Sequence, residues 1–135
     1  MGEHLKLAGS WATVRQENVE EMLNKVGAPF MVRKAAGRLK PSQTISFDGY
    51  NMKIISVTLK TEEKIIPLDG SEFSSELFSK TFVATASINE DGSIIVKGKV
   101  GDMDMMTVRK VDEAGQMVLT TTVGGVECCR AFVRK

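Results

Sequence analysis

Histidine is almost missing from this chain of 135 residues: His4 is the only one. No evident Cys or Asp partner accompanies it, so a histidine-based catalytic triad or dyad is not expected and His4 is expected at the surface. Cysteine is nearly as scarce, with Cys128 and Cys129 side by side. Neighbouring strand side chains point to opposite faces, so a disulfide between them would be badly strained, and the pair is expected to be reduced thiols of a reducing compartment. Their spacing is not that of a zinc site, and Asp102 and Asp104 belong to a turn rather than a metal loop. An excess of one charge is missing too. Eighteen Lys and Arg stand against 17 Asp and Glu, which removes any general electrostatic drive toward nucleic acid. No apolar run reaches the length of a signal peptide core or a membrane span, and no glycine-rich stretch matches a phosphate-binding fingerprint. What is left, 42% hydrophobic and 26% charged, is the composition of an ordinary globular domain, expected to be a single unit over residues 1–135 in the cytosol.

The first positive signal is a change of period after an opening strand that includes "LKLAGSWATV". Val19, Met22, Leu23 and Val26 fall at i, i+3, i+4 and i+7, one apolar stripe of a helix, with Asn18 and Glu21 placed as a capping box. Gly27 stops that helix. Pro29 suits the first turn of a second, which runs toward Ala36 before Gly37 and Pro41. Everything beyond reads as short runs of Val, Ile, Thr and Phe divided by Asp48-Gly49, Asp69-Gly70, Asp91-Gly92, Gly101-Asp102 and Gly124-Gly125. In "TFVATASI", Phe82, Ala84, Ala86 and Ile88 share one face, and Thr81, Thr85 and Ser87 the other. A meander of about nine or ten such strands makes a sandwich or a closed barrel, and a barrel of this size can enclose one small ligand.

Two arginines interrupt apolar strands. Arg109 in "TVRKV" shares a face with Met105, Thr107 and Val111; Arg130 in "CCRAFVRK" shares one with Cys128 and Phe132. Alternation alone leaves open which face is inward. Outward arginines would be ordinary solvated residues. Inward ones on neighbouring strands would converge in one interior, and burying an unpaired charge costs several kcal/mol, so such a site calls for an anion. A carboxylate is the natural complement, because the guanidinium fork matches its two oxygens.

Over essentially its whole length the chain resembles the intracellular lipid-binding proteins, the family of fatty-acid-binding and cellular retinoic-acid-binding proteins. The likeness rests on "LAGSW", on "ENVEEMLNKVGAPFMVRKAA" followed by "KP", on "TVRKV" and on "CCRAFVRK". It implies an all-β, lipocalin-like fold: a ten-stranded antiparallel barrel of two near-orthogonal sheets, capped by a helix-turn-helix between strands 1 and 2, around an internal cavity. It also implies a monomeric, cytosolic, non-enzymatic carrier of a long-chain fatty acid, without cofactor or metal. Retinoic acid is the alternative ligand, because the first helix and the C-terminal ending look at least as much like the retinoic-acid carriers.

By the same resemblance, Arg109 and Arg130 hold the ligand carboxylate, directly or through water, and Phe132 stands where the family has a tyrosine. The missing hydroxyl is expected to cost about 0.5–1.5 kcal/mol of head-group binding. Leu7 replaces the usual aromatic before Gly9 at a core-packing position, and Trp11 belongs to the core. Phe30, Met31, Ala36 and Leu59 resemble the lining of the portal through which ligand passes. Arg33, Lys34, Arg38 and Lys40 form a basic cluster beside it, suited to transient contact with anionic membranes, where each basic side chain contributes about 1 kcal/mol.

Overall fold

The computed structural model describes residues 2–77 and 80–135. A single-turn 3-10 helix, Glu3–Leu7, precedes β1 (Gly9–Glu17), and two helices, α1 (Val19–Lys25) and α2 (Phe30–Arg38), separate β1 from β2 (Ser42–Asp48). Eight further strands follow: β3 (Asn51–Val57), β4 (Thr61–Pro67), β5 (Phe73–Leu77), β6 (Lys80–Ile88), β7 (Ile94–Val100), β8 (Met103–Val111), β9 (Met117–Val123) and β10 (Val126–Arg134). All pair antiparallel in the order β4-β3-β2-β1-β10-β9-β8-β7-β6-β5, the all-β ten-stranded barrel expected. The chain ends return to each other as β1 pairs with β10, and the ladder is interrupted between β4 and β5.

The helical stripe is buried as its period requires: Val19, Met22, Leu23 and Val26 all enter the core, and α1 packs against β10 and β9. Its C-terminus is a Schellman motif. Gly27, at φ 84°, lets the Ala28 N–H reach the Leu23 carbonyl at 2.9 Å, while its own N–H reaches Asn24 at 3.1 Å. The N-terminus departs from the expected capping box. Asn18 sits in the left-handed region at φ 61°, makes no side-chain cap, and donates its Nδ2 to the Glu127 carbonyl on β10. The cap residue thus ties the helix to the barrel instead of closing its own first turn.

The opening strand is also shorter than "LKLAGSWATV" suggested. Residues through Leu7 form the 3-10 turn, which closes one end of the barrel, because the Leu7 carbonyl accepts Trp11 Nε1 at 2.9 Å and Arg134 donates to the Lys6 and Ala8 carbonyls. Arg134 also lies 4.2 Å over the Trp11 ring. Trp11 and Leu7 are fully buried. Gly92, in the β6–β7 turn at φ 88°, comes so close to Glu3 that a Cβ would sit 2.6 Å from its backbone carbon. His4, expected at the surface, is half-buried with its ring edge against Phe47, centroids 4.9 Å apart.

Alternation predicts the interior well on β6, where Phe82, Ala84 and Ala86 are buried; Ile88, at the strand end, is exposed instead. Thr81, Thr85 and Ser87 face solvent, so the polar groups of the interior come from elsewhere: Thr13, Gln43 and Thr121.

Candidate functional site

Both arginines point into the barrel. Arg109 is buried among Met105, Met117 and Ile94, and Arg130 lies between Cys128 and Phe132 on the inner row of β10. Their strands are not neighbours as the sequence reading supposed, since β9 runs between β8 and β10. Leu119 of β9 pairs with Arg109 on one side and Arg130 on the other, so the two arginines occupy one cross-strand row. Two strand spacings separate their backbones by about 9–10 Å, a gap that two converging guanidinium side chains can close around a small anion.

Each guanidinium is steadied by a glutamine carbonyl. Arg109 Nη1 donates to Gln43 Oε1 at 2.8 Å and lies 3.7 Å from the Met117 sulfur, while Arg130 Nε donates to Gln16 Oε1 at 3.2 Å. These acceptors are neutral. Among the described residues neither arginine forms an ion pair. Burial pushes both guanidinium pKa values down, that of Arg109 to about 10, and the charge of Arg130 adds to the effect at Arg109. Both remain cationic at neutral pH. The two guanidinium groups therefore have no counter-charge among the described residues, and both Nη groups of Arg130 have no partner among them.

Gln16 reaches Arg130 only because β1 is bulged. Thr13 pairs with Phe132 and Gln16 with Arg130, with a register shift between Thr13 and Arg15 that leaves Val14 as the extra, exposed residue. In an unbroken strand residues 13 and 16 would face opposite sides. The Gln16 Nε2 in turn donates to the carbonyls of Gly37 and Leu39 at 3.0 and 2.9 Å and approaches that of Ala36 at 3.5 Å, at the C-terminus of α2. One amide thus holds a buried arginine and the end of a helix. Replacing it, Gln16→Leu, strips a donor from the α2 terminus and the acceptor from Arg130. A loss of about 1–3 kcal/mol of stability is expected, measured by urea unfolding, with faster amide hydrogen exchange across residues 33–40.

Phe132 is completely buried, packed in register between Thr13 and Met117. The four proposed portal residues divide. Phe30, Met31 and Leu59 are 58%, 77% and 88% exposed, too open to be packing helix to barrel, whereas Ala36 lies partly buried against the core. Arg33 and Lys34 stand over the Phe30 ring at 5.6 and 5.5 Å, and Lys34 also pairs with Glu20 of α1 at 2.9 Å. Two depressions of about 330 Å³ each, one lined by Lys97, Gly98, Met105 and Met106 and the other by Gln16, Asn18, Val19 and Gly37, do not include Arg109, Arg130 or Phe132. Among the described residues no group of His, Cys, Asp or Glu is gathered to hold a metal, and no helix is long and apolar enough to cross a membrane.

Sequence reasoning passed over Gln16, Gln43 and Lys64. The two glutamines carry no signal, because their neighbours in sequence, Arg15 and Glu17 for one and Ser42 and Thr44 for the other, are polar too. Lys64 could have been found from "EEKIIP", where it alternates with Ile66 on one face.

No family model matches the chain. Whole-length relatives do. It is 32% identical to a fatty acid-binding protein of Clonorchis sinensis, covering 93% of this chain and 96% of that one. It is 30% identical to the sodium/calcium exchanger regulatory protein 1 of Doryteuthis pealeii, covering 95% and 96%. Among solved structures, the REP1-NXSQ fatty acid transporter superposes with a TM-score of 0.88 at 28% identity, over 97% of each chain. With the ten-stranded barrel and likeness of this extent, the chain belongs to the fatty-acid-binding protein family.

Proposed function

We propose that this protein is a non-enzymatic carrier that takes a long-chain fatty acid into the barrel, with the carboxylate at Arg109 and Arg130 and the tail along the apolar inner rows. The observation that carries the reading is the pair of inward guanidinium groups that, among the described residues, meet the neutral carbonyls of Gln43 and Gln16 and the Met117 sulfur but no acid. A carboxylate supplies the missing negative charge and fits the planar donor fork. Fatty acid is favoured over other hydrophobic acids because relatives along the whole chain carry that ligand in their names. The tail supplies affinity at about 0.8 kcal/mol per buried methylene, and the arginines supply orientation and selectivity for the acid.

Entry and exit belong at the α2 end. Phe30, Met31 and Leu59 project there or on the β3–β4 turn as exposed apolar side chains, and Arg33, Lys34, Arg38 and Lys40 lie on or just past the helix. Apolar side chains flanked by cations suit brief contact with an anionic membrane, from which ligand is collected or to which it is delivered. We place the carrier in the cytosol, where Cys128 and Cys129, free and on opposite faces of β10, stay reduced.

Native mass spectrometry of freshly purified protein, followed by displacement of a fluorescent fatty acid, tests the reading. A co-purifying long-chain acid and strong competition by oleate are expected. Competition by retinoic acid with none by oleate would instead make the protein a retinoid carrier.

A further inference from the structure

A third cation faces the interior. On β4, Ile65 is 56% exposed, whereas Lys64 and Ile66 alternate onto the opposite face, where Lys64 pairs in register with the buried Ile54 and Ile66 with the buried Met52. The Lys64 side chain therefore starts on the core side of the strand. Its ammonium crosses the interruption between β4 and β5 and donates to the Glu76 carbonyl at 2.9 Å. That uses one of its three N–H groups.

Glu76 meets it through the backbone carbonyl and not through the carboxylate. Glu62, two residues away on the same face, pairs with Lys60 at 3.1 Å, and Lys64 forms no ion pair among the described residues. Burial lowers its pKa despite the nearby charges of Glu62 and Glu76, and Arg109 is close enough for its charge to lower it further. A lysine that merely blunted a strand edge would direct its charge to water. This one instead shares the interior's field with the arginine of the head-group site.

We infer that Lys64 is a second polar subsite, which accepts an oxygen carried along the ligand chain, so that the protein prefers oxygenated long-chain acids over plain saturated ones. The inference rests on the carrier reading above and names its substrate class more closely. Two N–H groups without a partner among the described residues, on a side chain that starts from the core side of β4, offer a hydrogen bond to a keto or hydroxyl oxygen, or an ion pair to a second carboxylate. The head group meanwhile stays at Arg109 and Arg130. A plain tail passing the same point leaves the ammonium without that partner.

The test is a titration series with stearate, with keto- and hydroxystearates differing in the position of the oxygen, and with the corresponding long-chain dicarboxylate. Wild-type protein, Lys64→Met and Lys64→Arg are compared. At one position in the series the wild type should bind about tenfold more tightly than it binds stearate, a factor set by one hydrogen bond to a charged group. Lys64→Met should lose that advantage while keeping its stearate affinity, and Lys64→Arg, which retains a cationic donor, should keep most of it. Which members gain separates the sources, since a gain confined to the dicarboxylate marks an anion site and a gain with the keto acid marks a neutral acceptor. The inference is overturned if no member exceeds stearate or if the advantage survives in Lys64→Met. Failure of wild-type protein to bind any acid in the series, stearate included, would overturn the carrier reading itself.

Discussion

Replacing Arg130 with alanine is expected to weaken oleate binding by about 10- to 100-fold while changing the affinity for methyl oleate by no more than about threefold. Arg130 spends its Nε on Gln16 and leaves both Nη groups for the ligand. A carboxylate across that fork gains two charge-assisted hydrogen bonds, whereas the ester keeps one weak acceptor and no charge. The tail is buried alike in both ligands, so its contribution cancels in the comparison. Arg109→Ala should act in the same direction with a smaller ratio, because Arg109 Nη1 is already committed to Gln43 and the Met117 sulfur. Isothermal titration of both ligands against the wild type and both variants measures the effect. Equal losses for acid and ester would mean that the arginines serve packing rather than recognition.

Removing the same charge should make the empty protein more stable. Burial, helped by the charge of Arg130, lowers the guanidinium pKa of Arg109 to about 10 in the folded state, well below its ordinary value. The unfolded chain therefore binds more protons above that folded value, and the penalty is fully present at every pH below about 10 and fades as pH rises above it. At neutral pH it amounts to about 3 kcal/mol. Arg109→Met alone would leave Gln43 Oε1 bare and give part of this back, at about 1–3 kcal/mol. The double variant Arg109→Met with Gln43→Met removes both polar partners together. It is expected to stabilise the ligand-free protein by about 1–3 kcal/mol, read as a higher urea midpoint with an unchanged slope, and to lose part of the selectivity for acid over ester, the rest being kept by Arg130. A destabilised double variant would mean that the buried charge has a compensating partner inside the barrel. In the proposed carrier, the wild-type arrangement would exchange stability of the empty state for affinity, the pattern expected where a site is built for its ligand rather than for the fold.

Local periodicities in this sequence reach the surface of each element and stop at its partners. The α1 stripe, its Gly27 stop and the buried face of β6 follow from side-chain spacing, because 3.6-residue and two-residue periods are properties of the backbone itself. Asn18 reads as an ordinary cap until β10 offers the Glu127 carbonyl in its place. The first residues read as strand because Leu5 and Leu7 alternate, yet the need to close the barrel end against Trp11 folds them into a turn. For the arginines, alternation gave two faces without an inside, and only the long-range register through Leu119 sets them in one row. Gln16 was the least visible of all. Its inward position depends on a single extra residue, Val14, whose bulge is decided by pairing with a strand more than a hundred positions along the chain.

An ionised carboxylate lying against the two interior arginines would be visible in carbon-13 NMR of carboxyl-labelled oleate bound to the protein. Two cations in a buried site favour the charged form, so the bound resonance is expected to keep its ionised shift as pH falls through the usual carboxylate range, and to lose that resistance in Arg130→Ala. A bound carboxyl that titrates as it does in water, unchanged by Arg130→Ala, would contradict the account.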